Sequence, residues 1–325
     1  MRSRQPAEVA APSDAAEAAL LLVLGASRSG TSLFSGLSQR LGFYVPQPEV
    51  EPTAANPRGF AEPKWVVDFH QQLLDQLGVQ LADGRPGAWR KTESVGTRAR
   101  VRRELRTWLE GQLEHSPRLV VKDPRTTWFL KLWQATAQEL GLKPAVALML
   151  RHPAQVVRSK QQQVGGKQLD MTTKSVGWLN VMLSVEQKTR DVPRAVVRHD
   201  SLLADWRGTL ATADRRLQVG LLSRATQEQV REASELVEPS LHRSRDLWDG
   251  LGVPARVAEL AEESWRALGE LSHDGDRDDA EVRRRLDDLR NDFVQLYDES
   301  LAIARSSVFA ARTQKRAKAA GPAAR

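Results

Sequence analysis

The feature that most restricts the fold is a continuous apolar segment that runs into a glycine-containing loop. Residues 18–24 read AALLLVL, and the loop GASRSGTS over residues 25–32 follows directly. An uninterrupted apolar run bounded by glycine is typical of a strand that is buried on both faces. Apolar residues then recur at helical spacing over residues 31–41. The segment therefore predicts a strand, a tight turn and a helix.

Three further short strands are predicted, and each is followed by a helical pattern. Apolar residues also recur at helical spacing in two segments before these strands. A Pro- and Gly-rich segment in the same part of the chain predicts a long loop. The predicted strands are 118–122, 145–150 and 195–198, the additional helices are 65–77 and 98–113, the loop is 43–63, and 206–305 are almost entirely helical in pattern. This alternation predicts an α/β fold in which a P-loop-like central parallel sheet is flanked by helices, with a mostly helical C-terminal part.

The positive charge of the chain is concentrated at its C-terminus. The formal net charge is +7, and five of these charges lie in the last fifteen residues, which contain no acid. We expect a disordered N-terminal segment over 1–18, one domain over 19–310 and a basic disordered tail over 311–325. Because the domain itself is only mildly basic, no nucleic-acid partner is predicted.

Cysteine usage and hydropathy restrict the chemistry and the compartment. The chain has no Cys, which excludes disulfides, thiolate metal sites and cysteine nucleophiles. No segment approaches the ~20 apolar residues of a membrane span. We therefore expect a soluble, cytoplasmic protein that is not integral to a membrane. The oligomeric state is left open.

The loop after the first strand is a candidate phosphate site. Its glycines let backbone N–H groups approach an anion, and the following helix N-terminus adds free donors. The candidate binding residues are Arg28, Ser29, Gly30, Thr31 and Ser32. Thr31 stands where a nucleoside triphosphatase places its loop lysine, and Arg28 is the loop's cation. Glycine also serves tight turns for steric reasons, so the loop alone leaves both interpretations open.

GASRSGTS resembles the 5′-phosphosulfate loop of sulfotransferases that use 3′-phosphoadenosine 5′-phosphosulfate (PAPS), in the Arg-Ser-Gly-Thr variant of bacterial, Golgi-type and tyrosylprotein enzymes. The segment LMLRHPAQVVRS resembles the family's second landmark, with Arg151 and Ser159 eight residues apart. The resemblance implies that these two residues bind the 3′-phosphate. Independently, an arginine at the end of a parallel strand points into the ligand crevice, and its paired donors suit a phosphate.

Three more segments resemble the family in the expected order. They are NPRGFAE (56–62), VKDPR (121–125) and, more weakly, PSLHRSR (239–245). The resemblance implies that Lys122 lies beside the transferring sulfate and that Glu62 lies on the acceptor side. One segment departs from the pattern: many members have Tyr-Glu-Asp-Leu where this chain has His199 to Leu202, so adenine recognition there is open.

The resemblance also implies roles in catalysis. We expect Arg28 to stabilise the bridging oxygen of the donor and Lys122 to be a second electrophilic contact. Glu62 is the first candidate for the base that accepts the proton of the acceptor hydroxyl, and His70 is the second. Asp123 is expected to cap the helix that begins at Pro124.

We therefore predict a PAPS-dependent sulfotransferase that needs no metal and acts on a small molecule, a glycan or a lipid. Two alternatives remain at this point. One is a P-loop phosphotransferase, a kinase that uses a nucleoside triphosphate and Mg²⁺. The other is a non-catalytic nucleotide-binding protein on the same scaffold.

Overall fold

The sheet at the centre of the molecule is parallel throughout. The computed structural model describes residues 18–53, 56, 59–161, 170–237, 248–272 and 280–319. Within these ranges four strands form one sheet in the order β2–β1–β3–β4. The strands are β1 Ala19–Leu24, β2 Arg118–Lys122, β3 Pro144–Leu150 and β4 Arg194–Arg198. All three strand pairings are parallel.

Helices cover both faces of this sheet. The helices are α1 Thr31–Arg40, α2 Lys64–Leu77, α3 Ala88–Glu93, α4 Ala99–His115, α5 Leu130–Glu139, α6 Pro153–Gln161, α7 Met171–Lys188, α8 His199–Ala204, α9 Trp206–Leu217, α10 Gln227–Leu236, α11 Ala255–Glu270 and α12 Ala280–Ala319, with 3₁₀ helices at Ser94–Thr97 and Pro124–Phe129. From α8 onward, the regular structure of the described residues is helical.

The apolar character of β1 is explained by two cores, one on each side of the sheet. Leu20, Leu22 and Leu24 pack into a core with residues of α2, α4, α5, α7, α11 and α12. Leu21 and Val23 point to the opposite side and pack with residues of α1, α9 and α10. Because neighbouring side chains of a strand alternate between faces, a strand between two cores needs apolar residues throughout.

The predicted parallel α/β sheet with its helical C-terminal part is confirmed. Strand β2 has the predicted bounds, and β3 and β4 each begin one residue earlier than predicted. None of the helices in the described ranges combines the length and the apolar character of a bilayer-spanning segment.

Disorder was predicted for both ends of the chain, over 1–18 and over 311–325. Residues 1–17 of the N-terminal segment and residues 320–325 of the tail lie outside the described residues. Helix α12 continues to Ala319, so residues 311–319 lie in this helix, and the disorder of the tail over 311–325 stays a prediction. The reason for the helix is local: Ala, Arg, Lys and Gln dominate this segment, and all four are strong helix formers.

Parallel pairing brings the carboxyl ends of the strands to one edge of the sheet. The loop after β1 lies at this edge, together with Lys122 at the end of β2, Arg151 directly after β3 and His199 directly after β4. The residues singled out from the sequence therefore converge on a single side of the molecule.

Candidate functional site

The loop between β1 and α1 is shaped by two glycines that no other residue can replace without strain. Gly25 has φ +133°, and a Cβ there would lie 2.7 Å from the carbonyl oxygen of Met149 on β3. Gly30 has φ +89°, and a Cβ there would overlap the imidazole of His199. Both residues therefore serve close approach as well as a left-handed backbone. The loop is held tightly between β3 and the start of α8.

The loop offers several hydrogen-bond donors to a ligand. The N–H groups of Thr31 and Ser32 open α1, so they have no acceptor within the helix. The side chain of Ser29 is fully buried, and its hydroxyl has no hydrogen-bond partner among the described residues. An unpaired buried hydroxyl typically costs ~1–3 kcal/mol, and an oxyanion in the loop would satisfy it. The donor set suits a phosphate or sulfate group.

Arg28 connects this loop to the second predicted phosphate-binding segment. Its Nε donates to the Ser159 hydroxyl at 3.0 Å, and its carbonyl oxygen accepts from Arg151 Nη1 at 3.1 Å. Arg28 adopts φ +74°, a left-handed conformation that typically costs about 1–3 kcal/mol in a residue with a side chain. The structure thus brings Arg28 together with Arg151 and Ser159, which follow it in the sequence by more than a hundred residues.

Arg151 carries a positive charge with no acidic partner among the described residues. Its Nε donates to Gln155 Oε1 at 3.2 Å, so both of its hydrogen-bond acceptors here are neutral. Burial, and then the nearby charge of Arg28, lowers the pKa of Arg151 from its usual value. A guanidinium that is partly desolvated and uncompensated is well prepared for an anionic ligand.

A second group of polar residues lies beside the N-terminus of α1. Lys122 Nζ donates to Ser32 Oγ at 3.2 Å and to the Phe60 carbonyl at 3.3 Å, and it forms an ion pair with Glu62. The Glu62 side chain follows Ala61, which also has a left-handed backbone with φ +50°. The structure therefore joins three segments that the sequence had matched separately: the phosphate loop, VKDPR and the described part of NPRGFAE.

Glu62 is buried in this group. Desolvation raises the pKa of Glu62 above its ordinary value, and the neighbouring Lys122 offsets part of that rise. A carboxylate with a raised pKa is a better proton acceptor than an exposed one. This placement is compatible with the predicted role of Glu62 as a base, and it adds a contact to Lys122 that the sequence did not show.

His70, the second candidate for the base, lies in the core. Its side chain is fully buried, and Nδ1 lies 2.8 Å from Asp123 Oδ2. Its Nε2 accepts a hydrogen bond from Trp133 Nε1 at 3.0 Å, so the neutral ring donates from Nδ1 to Asp123. Burial lowers the pKa of His70 below its usual value. Both ring nitrogens are thus occupied in this structure, and the role of His70 as the alternative base stays a prediction.

Asp123 has the predicted capping role. Its carboxylate accepts from the Arg125 backbone N–H at 3.1 Å and from Arg125 Nη1 at 2.8 Å, at the start of the 3₁₀ helix Pro124–Phe129. Hydrogen bonding to His70 and Arg125 lowers the pKa of Asp123 despite its burial.

Across the described ranges no three His, Asp or Glu side chains group as candidate metal ligands.

Two lysines near the loop were missed by the sequence reasoning. Lys160 directly follows Ser159 on α6, and Lys174 lies on the first turn of α7. Burial, then the charge of Lys174, then that of Arg28 lower the pKa of Lys160 to about 8. The position of Lys160 next to Ser159 is a signal that the sequence contained. No signal in the sequence placed Lys174 here.

Two predicted segments remain to be located in the structure, PSLHRSR and the segment that begins at His199. The weak match PSLHRSR lies outside the described residues. His199, which stands where many sulfotransferases have a tyrosine, has its ring against Gly30 of the loop.

Comparisons with known proteins give one match. No protein-family model matches the chain, and no curated protein matches it. Among solved structures, a match was found with the sulfotransferase domain of the Synechococcus PCC 7002 olefin synthase. The identity is 15% and the TM-score 0.38, with 86% of this chain and 96% of that chain covered. A similarity at this level does not by itself indicate an activity.

Proposed function

We propose that this protein is a sulfotransferase that moves a sulfuryl group from PAPS to an acceptor hydroxyl. The observation that carries the proposal is the position of Arg28. Its side chain contacts Ser159 and its carbonyl contacts Arg151, so the two segments that resemble the 5′-phosphosulfate and 3′-phosphate sites are in direct contact.

The residues present fit the donor. The loop donors of Ser29, Thr31 and Ser32 would hold the 5′-phosphosulfate, and Arg151 with Ser159 would hold the 3′-phosphate. Two features support this assignment. Among the described residues, the buried hydroxyl of Ser29 has no hydrogen-bond partner and the guanidinium of Arg151 has no acidic partner. When bound, PAPS supplies an activated sulfuryl group whose departure leaves negative charge on a phosphate oxygen.

Arg28 and Lys122 are the groups that would stabilise this charge. Preorganised cations aimed at developing charge are worth on the order of 10²–10³ in rate each. Lys122 is held by Ser32, Phe60 and Glu62 on the opposite side of α1's N-terminus from the 3′-phosphate residues. Its ammonium is therefore fixed before any ligand arrives, which avoids a cost of reorganisation.

Glu62 is our candidate for the base. Its buried carboxylate would accept the proton of the acceptor hydroxyl as the oxygen attacks sulfur. Burial raises the pKa of Glu62 above its ordinary value, which makes its carboxylate a stronger proton acceptor. The acceptor itself belongs to a broad class, a hydroxyl on a small molecule, a glycan or a lipid.

A phosphotransferase reaction fits these residues less well. The loop has Thr31 where such enzymes need a lysine. Asp123, the acid at the end of β2, has both carboxylate oxygens engaged by His70 and Arg125. A non-catalytic nucleotide binder would not need the arrangement of Lys122 and Glu62 beside the loop.

A turnover assay tests the proposal. Purified protein is incubated with PAPS carrying labelled sulfur and a panel of hydroxyl acceptors, and transfer of label to the acceptor is measured. Lys143→Met is a matched control, because Lys143 is exposed and precedes β3 at the opposite edge of the sheet. We expect transfer by the wild type and by this control, and loss of transfer in Lys122→Met. Label transfer that is unaffected in Lys122→Met would contradict the proposed site.

A further inference from the structure

Helices α2 and α4 border an open cleft on the surface of the protein. Its volume is about 510 Å³, which is in the range of ordinary small-molecule pockets. All of its lining residues belong to these two helices, so the cleft is separate from the phosphate loop. They are Trp65, Arg100, Arg103, Glu104, Thr107 and Trp108.

Two tryptophans form the apolar wall of this cleft. The rings of Trp65 and Trp108 are stacked, with centroids 4.7 Å apart and planes at 8° to each other. Trp65 also stacks on Phe69, and Trp108 meets Trp133 in a T-shaped contact. Both cleft tryptophans are half-buried, and among the described residues neither indole N–H has a hydrogen-bond partner. The wall therefore offers a fixed apolar surface with free donors, which suits a flat ring.

The arginines of the cleft differ from their neighbours on the same helix. Arg102 and Arg106 each form an ion pair with a glutamate. Arg100 and Arg103 are exposed and form no ion pair within the described part of the chain. With Glu104, the two arginines give the lining a net charge of +1. This balance favours a ligand with one negative charge, such as a carboxylate, whose two oxygens match the donors of a guanidinium.

The cleft lies beside the segments that carry both candidate bases. Trp65 follows Glu62 by three residues and is in the first turn of α2. Three trans peptide units span at most ~11 Å, so the Cα atoms of these two residues are no further apart than that. On the other side of the cleft, Trp108 contacts Trp133, whose indole N–H donates to His70.

We propose that this cleft binds the part of the acceptor that is remote from its reacting hydroxyl, and that this part is an aromatic ring with a carboxylate. Trp65 and Trp108 would contact the ring, while Arg100 and Arg103 would bind the carboxylate. The inference rests on the proposed function for the role of this ligand, and it narrows the acceptor to aromatic acids that also carry a hydroxyl. Contacts remote from the reacting atoms contribute binding energy to the whole substrate.

Two probes that differ in a single group test the cleft. They are 6-hydroxy-2-naphthoate and 2-naphthol, which share the fused ring and the hydroxyl, and only the first has a carboxylate. Isothermal titration uses protein saturated with 3′-phosphoadenosine 5′-phosphate (PAP), so that the carboxylate does not occupy the donor site. We expect the double variant Arg100→Ala/Arg103→Ala to bind the naphthoate about 5- to 30-fold more weakly and 2-naphthol less than twofold more weakly.

Arg106→Ala is the matched control, because it removes an arginine of the same helix that does not line the cleft. It should leave both affinities unchanged. Trp65→Leu should weaken both probes by a similar factor, since both share the ring. The arginines are exposed, so their replacement keeps the test valid if the tryptophan variant does not fold.

Turnover separates this inference from the proposed function. With the naphthoate as acceptor, the double arginine variant should raise KM by the factor found in the titration and leave kcat unchanged, because these arginines do not touch the reacting atoms. Binding that depends on the arginines without sulfuryl transfer to any acceptor would support the cleft and contradict the proposed function. Transfer to other acceptors with no binding of the naphthoate, or equal losses for both probes in the arginine variant, would overturn the inference.

Discussion

Arg151→Ala tests the 3′-phosphate site most selectively. The substitution removes the donors to the Arg28 carbonyl and to Gln155 and deletes a cation that has no acidic partner among the described residues. Truncating one partner of a charge-assisted contact typically costs ~2–5 kcal/mol. Since Arg151 is only partly buried, we expect the lower part of this range, ~2–3 kcal/mol, which corresponds to a roughly 30- to 150-fold weaker Kd.

The assay compares two ligands that differ at the 3′ position. Isothermal titration is carried out with PAP, which has the 3′-phosphate, and with adenosine 5′-monophosphate, which lacks it and is otherwise identical. We expect the Arg151→Ala loss with PAP and a loss of less than a few-fold with the second ligand. Gln155→Ala is the matched control, because it removes the neutral partner of Arg151 and keeps the cation. Equal losses for both ligands would refute the assignment of Arg151 to the 3′-phosphate.

Three further predictions concern the loop, the base and the core. Arg28→Ala should lower turnover by about 10²–10³ with a smaller effect on nucleotide affinity, and turnover near the wild-type value would exclude leaving-group stabilisation by Arg28. Glu62→Gln should lower turnover by about 10²–10⁴ if Glu62 is the base; if Glu62 only holds Lys122, then Glu62→Gln should have no further effect in a Lys122→Met background. The unfolding midpoint of the wild type should fall more steeply from pH 7 to pH 5 than that of His70→Asn, because His70 has a lowered pKa when folded and the unfolded chain binds the proton below about 6.5. Identical pH slopes in calorimetric melts would show that His70 is not the group responsible.

The sheet could be predicted because its physical cause is local. A strand between two cores must be apolar at every position, and the segment of β1 shows this directly. The meeting of Arg28 with Arg151 followed from the same logic, because parallel strands place the residues after their carboxyl ends at one edge. Ser159 lies two helical turns beyond this edge on α6, where it reaches the Arg28 side chain.

Other parts of the site depend on tertiary contacts that no local pattern encodes. The ion pair of Glu62 with Lys122 depends on the path of the loop before α2, including the left-handed turn at Ala61. His70 is a polar residue whose side chain lies in the core. Its partners Asp123 and Trp133 come from distant segments, so the sequence position of His70 did not show that both ring nitrogens are occupied.

Lys174 is a similar case. The burial of its side chain depends on the packing of α7 against the rest of the fold. Gly177 on α7 illustrates how close this packing is, because a Cβ there would overlap the carbonyl oxygen of Ala82. A lysine at the start of an amphipathic helix is ordinarily a solvated residue, and only the packed structure shows that this one is buried.

The central claim is that the site binds a 3′-phosphorylated adenosine nucleotide through protein cations. The most direct test is a titration of the wild-type protein with PAP in EDTA, followed by the same titration with ATP and Mg²⁺. We predict that PAP binds without metal, that its affinity falls as salt is raised, and that ATP–Mg²⁺ binds much more weakly. Tight binding of ATP–Mg²⁺ together with no binding of PAP in EDTA would contradict the claim and favour a phosphotransferase.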